Sequence, residues 1–303
     1  MIFDFLNWDW PGFGYDIFIE LLGASIVFVA STLFFTVLLT RLYRKSVKNV
    51  TKIHLENKDD DKVIKCFSAH SGFSDTKENL EYGFFFEDMS YSLLTNYLLS
   101  IHKKTEFEFK FSPLNKYQVN QITNTLKGDI VLFGGPNHNL LTNKILGLKP
   151  DYSNVPFYFS IDESGKEDAT LFSLDDNHQV KACYVPLKDD NEEYYCKDYG
   201  LIINIKNPYD PANRLIAFIG CRSIGVYGAT MYFCKHSKEV KKKTKKYDEY
   251  ALIIKCEGNK YNVEGDPTLI EAIPLNSIKK EDISTSHIVD SELIDVSKIT
   301  PSK

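Results

Sequence analysis

The sequence predicts an α/β protein: a single N-terminal transmembrane helix, then a mostly parallel sheet domain with an antiparallel insertion. Three observations predict it. Leu21 to Thr40 is a run of twenty residues without a charge. Short apolar runs recur at Val63–Ala69, Asp129–Phe133, Leu215–Ile219 and Tyr250–Cys256. Segments with helical spacing lie between several of them, and alternating strand and helix favours a parallel sheet.

The apolar run comes first in the chain. Twenty residues at ~1.5 Å each cover a hydrocarbon core of ~30 Å. Trp8, Trp10, Phe13 and Tyr15 precede it, where an interfacial aromatic belt lies. Asp4, Asp9, Asp16 and Glu20 flank its amino side, and Arg41, Arg44, Lys45, Lys48 and Lys52 its carboxyl side. That asymmetry places residues 41–303 in the cytoplasm, with the N-terminus outside the cell membrane. A secretory signal peptide is the rival reading, but it wants a basic start and a shorter apolar core. Gly23, Ala24 and Ser25 allow close packing of two spans, although no G-x-x-x-G is present.

The expected domains are an anchor at 1–45, a polar linker at 46–62, an α/β domain at 63–276 and a polar tail at 277–303. Within the α/β domain, Val63–Ala69 reads as a strand and Gly83–His102 as a helix, with apolar residues at Phe86, Met89, Leu93, Leu94, Tyr97, Leu98 and Ile101. Glu106–Phe111 (EFEFKF) alternates like a strand with one wet face. Tyr117–Leu126 reads as a helix, Asp129–Phe133 as a buried strand, and Asn139–Leu146 as a helix capped by Asn137 or Asn139. The stretch 151–212 differs. It holds the strand-like runs Pro156–Ile161, Ala182–Pro186 and Leu201–Lys206, separated by polar loops and closed by the turn Asn207-Pro208-Tyr209-Asp210-Pro211. After Leu215–Ile219 a helix is expected from about Val226 to Lys235. Tyr250–Cys256 is the last strong strand, with Tyr261–Ile273 as its hairpin partner. The tail is expected to be loosely ordered.

Two glycine-bearing loops each follow an apolar strand and lead into a helix. The first is Gly134-Gly135-Pro136-Asn137-His138-Asn139; the second runs from Gly220 through Arg222, Ser223 and Gly225 to Thr230. In an open α/β sheet both sit at the carboxyl ends of strands, where ligands bind. Glycines let backbone N–H groups approach a phosphate, a helix amino terminus adds partial positive charge, and Arg222 offers a charged donor. Asn137 and Asn139 suit a ribose or a base edge. The ligand-binding candidates are therefore Gly134, Gly135, Asn137, Asn139, Gly220, Arg222, Ser223 and Gly225. Neither loop matches G-x-x-x-x-G-K-[ST] or G-x-G-x-x-G, which disfavours a nucleoside-triphosphate hydrolase and a standard dinucleotide enzyme. The alternative is that the glycines merely close strand-to-helix turns.

Other chemistry is sparse. Ser68-Ala69-His70-Ser71 ends the first cytoplasmic strand and lines the same edge. Glu87 opens the next helix and is the one catalytic candidate, because an oxocarbenium-like transition state at an N-glycosidic bond calls for a carboxylate. Its competing role is to complement the helix dipole. No G-x-S-x-G occurs, and Cys221 has no evident histidine partner. Six scattered cysteines without C-x-x-C fit reduced cytosolic thiols, and no metal or other cofactor is expected. The formal net charge of -5 leaves no whole-chain nucleic-acid footprint. One basic cluster, Lys238–Lys246 (KEVKKKTKK), has two open readings: a solvated helix end, or a contact with anionic lipid.

A strand ending in GGPNHN and a later strand ending in GCRSIGVYGAT resemble the nucleotide-binding, Rossmann-like domains of the TIR and SLOG superfamilies. These are sensor and effector domains of prokaryotic defence and signalling proteins, some joined to a transmembrane helix. The resemblance covers roughly Val63–Cys256. Gly225–Thr230 is similar to the glycine-threonine turn of SLOG domains, without the P-G-G that precedes it there. In a TIR-like reading Glu87 stands for the catalytic glutamate. The resemblance implies a membrane-anchored sensor or effector that binds a nucleotide-derived ligand, with homo-oligomerisation as a means of signalling. The alternatives are a nucleoside or NAD glycohydrolase, and a non-catalytic partner-binding membrane protein.

Overall fold

The computed structural model describes residues 13–53, 63–69, 77–100, 105–112, 116–123, 126–136, 138–148, 153–160, 169–188, 195–259, 262–278 and 283. In chain order these form α1 (Phe13–Thr51), β1 (Val63–Ser68), α2 (Lys77–Leu99), β2 (Glu106–Phe111), α3 (Lys116–Thr123), β3 (Asp129–Phe133) and α4 (Leu140–Leu146). There follow β4 (Phe157–Ser160), β5 (Thr170–Leu174), β6 (Val180–Tyr184), β7 (Leu187–Lys188), β8 (Tyr195–Asn207) and β9 (Asp210–Gly220). The chain then runs through α5 (Ser223–Lys235), α6 (Ser237–Thr244), β10 (Tyr250–Gly258) and β11 (Val263–Pro274).

The chain divides into two compact units, Met1–Lys45 and Ser46–Lys303. In the first, Leu21–Leu39 is long and apolar enough to cross a membrane. Its large apolar side chains, from Leu21 to Leu39, stand exposed. The last turn of α1 belongs to the second unit. Val50 and Ile53 are buried there, so the stretch expected as a linker starts inside the folded domain. Lys52, in the left-handed region at φ 59, ends the helix.

The second unit is built on an eight-stranded mixed sheet ordered β11-β10-β8-β9-β3-β1-β2, with β7 paired to β8. β2, β1, β3 and β9 pair in parallel. β8 pairs antiparallel with both β9 and β10, and β11 antiparallel with β10. Hence β10 runs with the parallel set, while β8 and β11 oppose it. The predicted parallel half is present, and the far half is antiparallel.

The sheet is buried on both faces. One face packs Phe67, Ile130, Leu132, Leu201, Ile203 and Ala217 against Val119 of α3 and Leu141 and Ile145 of α4. The other packs Ile64, Val131, Phe133, Ile202 and Phe218 against Leu94 and Leu98 of α2 and Val226 and Phe233 of α5. Continuous apolar strands are what two covered faces require.

The separate antiparallel sheet is smaller than expected. It holds β4, β5 and β6, and β5 was not foreseen. Leu201–Lys206, placed in the insertion by its neighbourhood in sequence, is instead the middle of β8. Leu201, Ile202, Ile203 and Ile205 are all buried, as in a central strand. The predicted turn at 207–211 makes the tight β8–β9 hairpin, in which Asn207 pairs with Asp210. The hairpin of β10 and β11 forms as expected. Ile278 and Ile283 pack into the core, so the polar tail starts on tied-down residues; 284–303 lie outside the described residues.

Candidate functional site

Strand order fixes where a site would be. From β1 the chain moves outward to β2 by way of α2. It then returns past β1 to β3 by way of α3, on the other face. The order therefore reverses between β1 and β3. In open α/β sheets the crevice beyond the carboxyl ends of two such strands is where ligands bind. Here those ends are Ser68-Ala69 and Phe133-Gly134, held together by Ala69 N–H donating to Phe133 O (2.9 Å).

Glu87 reaches this point from α2. Ser68 Oγ donates to Glu87 Oε2 at 2.8 Å. A methyl group built on Gly134 would lie 3.0 Å from Glu87 Oε1 and 2.5 Å from Ala69 Cβ. Gly134 also has φ +100, a conformation that L side chains rarely adopt. Gly134 is thus required twice, by its backbone and by its neighbours. Glu87 is buried, and burial pushes its pKa up to about 8; the Asp88 charge adds to this, while the Ser68 hydroxyl and the Ala69 backbone oppose it. Burial thus favours the protonated form of Glu87 near neutral pH.

Asn139 is wholly committed to structure. Its Oδ1 accepts from Leu141 N and Thr142 N, both at 3.1 Å, which caps α4. Its Nδ2 donates to Phe133 O (2.9 Å) and Phe67 O (3.2 Å), tying the ends of β1 and β3 to that helix. Gly135 is different. It is half-buried, and a methyl group there would make only ordinary contact, 3.5 Å from Gly220 O. Asn137 lies outside the described residues, as do His70 and Ser71.

The second loop sits beside the first, because β9 neighbours β3 and Gly134 N–H donates to Phe218 O (3.0 Å). The amino terminus of α5 is filled from within. Asp198 of β8 accepts from Arg222 N (3.1 Å) and Gly225 N (2.5 Å) through Oδ2, and from Tyr199 N (2.7 Å) through Oδ1. A fully buried carboxylate thus occupies the position that the sequence offered to a phosphate, and takes up two of the backbone donors. Gly225 has no room for a side chain, since a methyl group would meet Tyr199 O at 2.5 Å and Asp198 Oδ2 at 2.8 Å. Gly220 is equally crowded by Arg222 O and Val226 N. Both glycines serve close helix-to-strand packing.

Arg222 and Ser223 are half-buried at the rim. His138 of the first loop is exposed in area, yet protein crowds its inner side and depresses its pKa. The nearby Arg222 charge depresses it further, which places the two loops within electrostatic reach. Cys221 is buried, and burial drives its thiol pKa well up, with the Asp198 charge adding to the effect; it is no nucleophile. Among the described residues no group of His, Cys, Asp and Glu is arranged to hold a metal ion.

Sequence reasoning brought Glu87, Gly134 and the two loops to one edge and missed Ser68 as the partner of Glu87. It also missed Asp198, whose only local signal is an acidic residue directly before an apolar strand segment. Fold and site define a three-layer α/β domain with a protonatable carboxyl group at a reversal of strand order, preceded by one long apolar helix. Comparison with known proteins found no family model, no curated protein and no solved structure that matches the chain.

Proposed function

We propose that this chain is a membrane-anchored sensor or effector whose cytoplasmic α/β domain binds a small nucleotide-derived ligand at the reversal between β1 and β3. The observation that carries the reading is the group Ser68, Glu87 and Gly134 at that point. A buried carboxyl group and a left-handed glycine share one strand end, where an apolar pairing would be more stable unless the polar group had a task. The ligand class is taken from the resemblance to TIR and SLOG domains. Anchoring and orientation rest on the apolar Leu21–Leu39 and the basic residues after it. The ligand would lie on the Gly135 side of the first loop, because Asp198 already occupies the start of α5.

One observation favours a second reading, a nucleoside or NAD glycohydrolase. A carboxyl group that keeps its proton near pH 7 is suited to protonate a leaving group. The two readings separate on one variant. A pure sensor binds ligand without turnover in both the parent and Glu87→Gln, whereas in the hydrolase the parent turns its ligand over and Glu87→Gln binds it but loses turnover.

The test is thermal unfolding of the full chain in detergent with a panel of nucleotides and cyclic dinucleotides. Ligand at ~100 times its dissociation constant adds about 2.7 kcal/mol. Gly135→Val abolishes the shift while leaving the ligand-free transition in place. No shift with any member of the panel defeats the reading.

A further inference from the structure

The face of α6 that looks away from the core carries a dense run of basic residues. From Lys235 to Asp248 the chain has seven lysines and two acidic residues. Ser237, Val240 and Thr244 are buried and fix the inner face of the helix. Lys238, Lys242 and Lys245 recur at i, i+4 and i+7 on the opposite side and are exposed, as are Lys243 and Lys246. No ion pair joins Lys238, Lys242, Lys243, Lys245 or Lys246 to an acid among the described residues. The neighbouring Lys235, in contrast, faces Asp266 at 3.9 Å. Long solvated lysines massed on one face are not needed for folding.

Their position in the fold says what they face. α6 leads through Asp248 into Tyr250, the first residue of β10, at the amino-terminal edge of the parallel strands. The same edge holds the end of α1. Tyr250 Oη donates to Val50 O at 2.6 Å, and Asn204 Nδ2 donates to Val50 O and Thr51 O at 3.2 and 2.9 Å. Asp248 pairs with Lys206 at 2.9 Å and also feels the charge of Lys52. Val50 follows Leu39 by only eleven residues of chain. The Ser68–Glu87 site lies at the opposite, carboxyl edge.

We infer that the lysine face of α6 is a docking surface for the anionic headgroups of the membrane that holds α1. The inference rests on the anchor reading and not on any ligand at Glu87. Each lysine brought to an anionic surface raises the docked population by about fivefold, an effect confined to a Debye length. Apart from this face and the basic residues at 41–52, the protein is acidic overall.

The experiment is lysine footprinting of the full chain in nanodiscs of neutral phosphatidylcholine, and in discs with about a third phosphatidylserine. Acylation of Lys238, Lys242, Lys245 and Lys246 is read by mass spectrometry, with Lys255, at the other end of β10, as internal control. The expected result is several-fold slower acylation of the α6 lysines on anionic discs only, reversed by 0.5 M salt, a level at which screening shrinks to a few Å. In the triple variant Lys238→Gln, Lys242→Gln, Lys245→Gln, the protection of Lys246 is lost while the fold, whose core these exposed residues do not touch, is kept. Equal acylation on both discs overturns the inference. Protection by a single-stranded oligonucleotide with none from anionic discs overturns it too, and assigns the face to nucleic acid. Retention on neutral discs after a salt wash tests the anchor separately. A chain that washes off neutral discs, yet shows salt-sensitive protection on anionic ones, loses the anchor and keeps the docking face.

Discussion

Ser68 Oγ and Glu87 Oε2 lie 2.8 Å apart, nineteen residues distant in sequence, and join the end of β1 to α2 at the point where strand order reverses. The pairing holds a carboxyl group that burial drives to a pKa of about 8. Its folded pKa exceeds the ordinary value of 4.5, so the native state binds more protons than the unfolded state between those limits. Stability from this group is full below pH 4.5, falls as the pH rises, and is lost above pH 8. Glu87→Gln removes that slope. Denaturant titrations at pH 5.5, 7 and 9 should show the variant gaining on the parent by a few kcal/mol across the series. Parallel curves for the two proteins would mean that Glu87 is ionised in the native state.

The two glycines of the first loop should respond differently. Gly134→Ala forces a side chain into the left-handed region and against Ala69 and Glu87, and should cost about 2–3 kcal/mol in a denaturation midpoint. Gly135→Ala meets nothing closer than 3.5 Å and should change stability by less than about 0.5 kcal/mol. That makes Gly135→Ala, rather than Gly134→Ala, the substitution that reports on ligand and not on folding.

Asp198→Ala should cost about 3 kcal/mol, because it orphans the amides of Arg222, Gly225 and Tyr199 in a buried place. Asp198→Asn, which keeps an acceptor oxygen, should cost less. If a phosphate normally bound this helix terminus, Asp198→Ala would be partly rescued by millimolar phosphate. A midpoint indifferent to phosphate supports a purely internal cap.

Much of this arrangement could be read from the sequence because it depends on local pattern. Asp129–Phe133 and Leu215–Ile219 are strands buried on both faces, and an uninterrupted apolar run ended by glycine announces one. Asn139 stands directly before its helix, so its capping role was visible, although its second task, bridging β1 and β3, was not. What the sequence hid were pairings over long separations. Asp198 caps a helix that begins twenty-five residues later. Leu201–Lys206 has the same apolar texture as the other core strands, but polar loops before it made it look like part of the insertion. Asn204, Arg214 and Tyr250 gave no signal at all, since each becomes informative only when β8, β9 and β10 lie side by side.

Those three residues carry the last prediction. Arg214 is buried, and its Nε and Nη2 donate to Asn204 Oδ1 at 3.0 and 2.7 Å. With that oxygen engaged, the Asn204 amide is turned so that Nδ2 meets the carbonyls of Val50 and Thr51, while Tyr250 Oη adds a second donor to Val50 O. The open carbonyls at the end of α1 are thereby satisfied from the sheet. Tyr250→Phe deletes two neutral hydrogen bonds, the one donated to Val50 O and the one accepted from Asn204 Nδ2 at 3.1 Å, and should cost about 1–2 kcal/mol, with the change confined to this edge. Asn204→Ala should cost more, about 3 kcal/mol, because it also removes two hydrogen bonds from the buried Arg214 guanidinium, which keeps its contacts with Asp248 and the Asn204 backbone carbonyl. Hydrogen exchange separates local from global effects. Tyr250→Phe should speed exchange at Ile53, whose amide donates to Thr51 Oγ1 at 3.2 Å, and leave Val131 in the middle of β3 unchanged. Equal acceleration at both amides would mean that the end of α1 has no separate stability and unfolds only with the whole sheet.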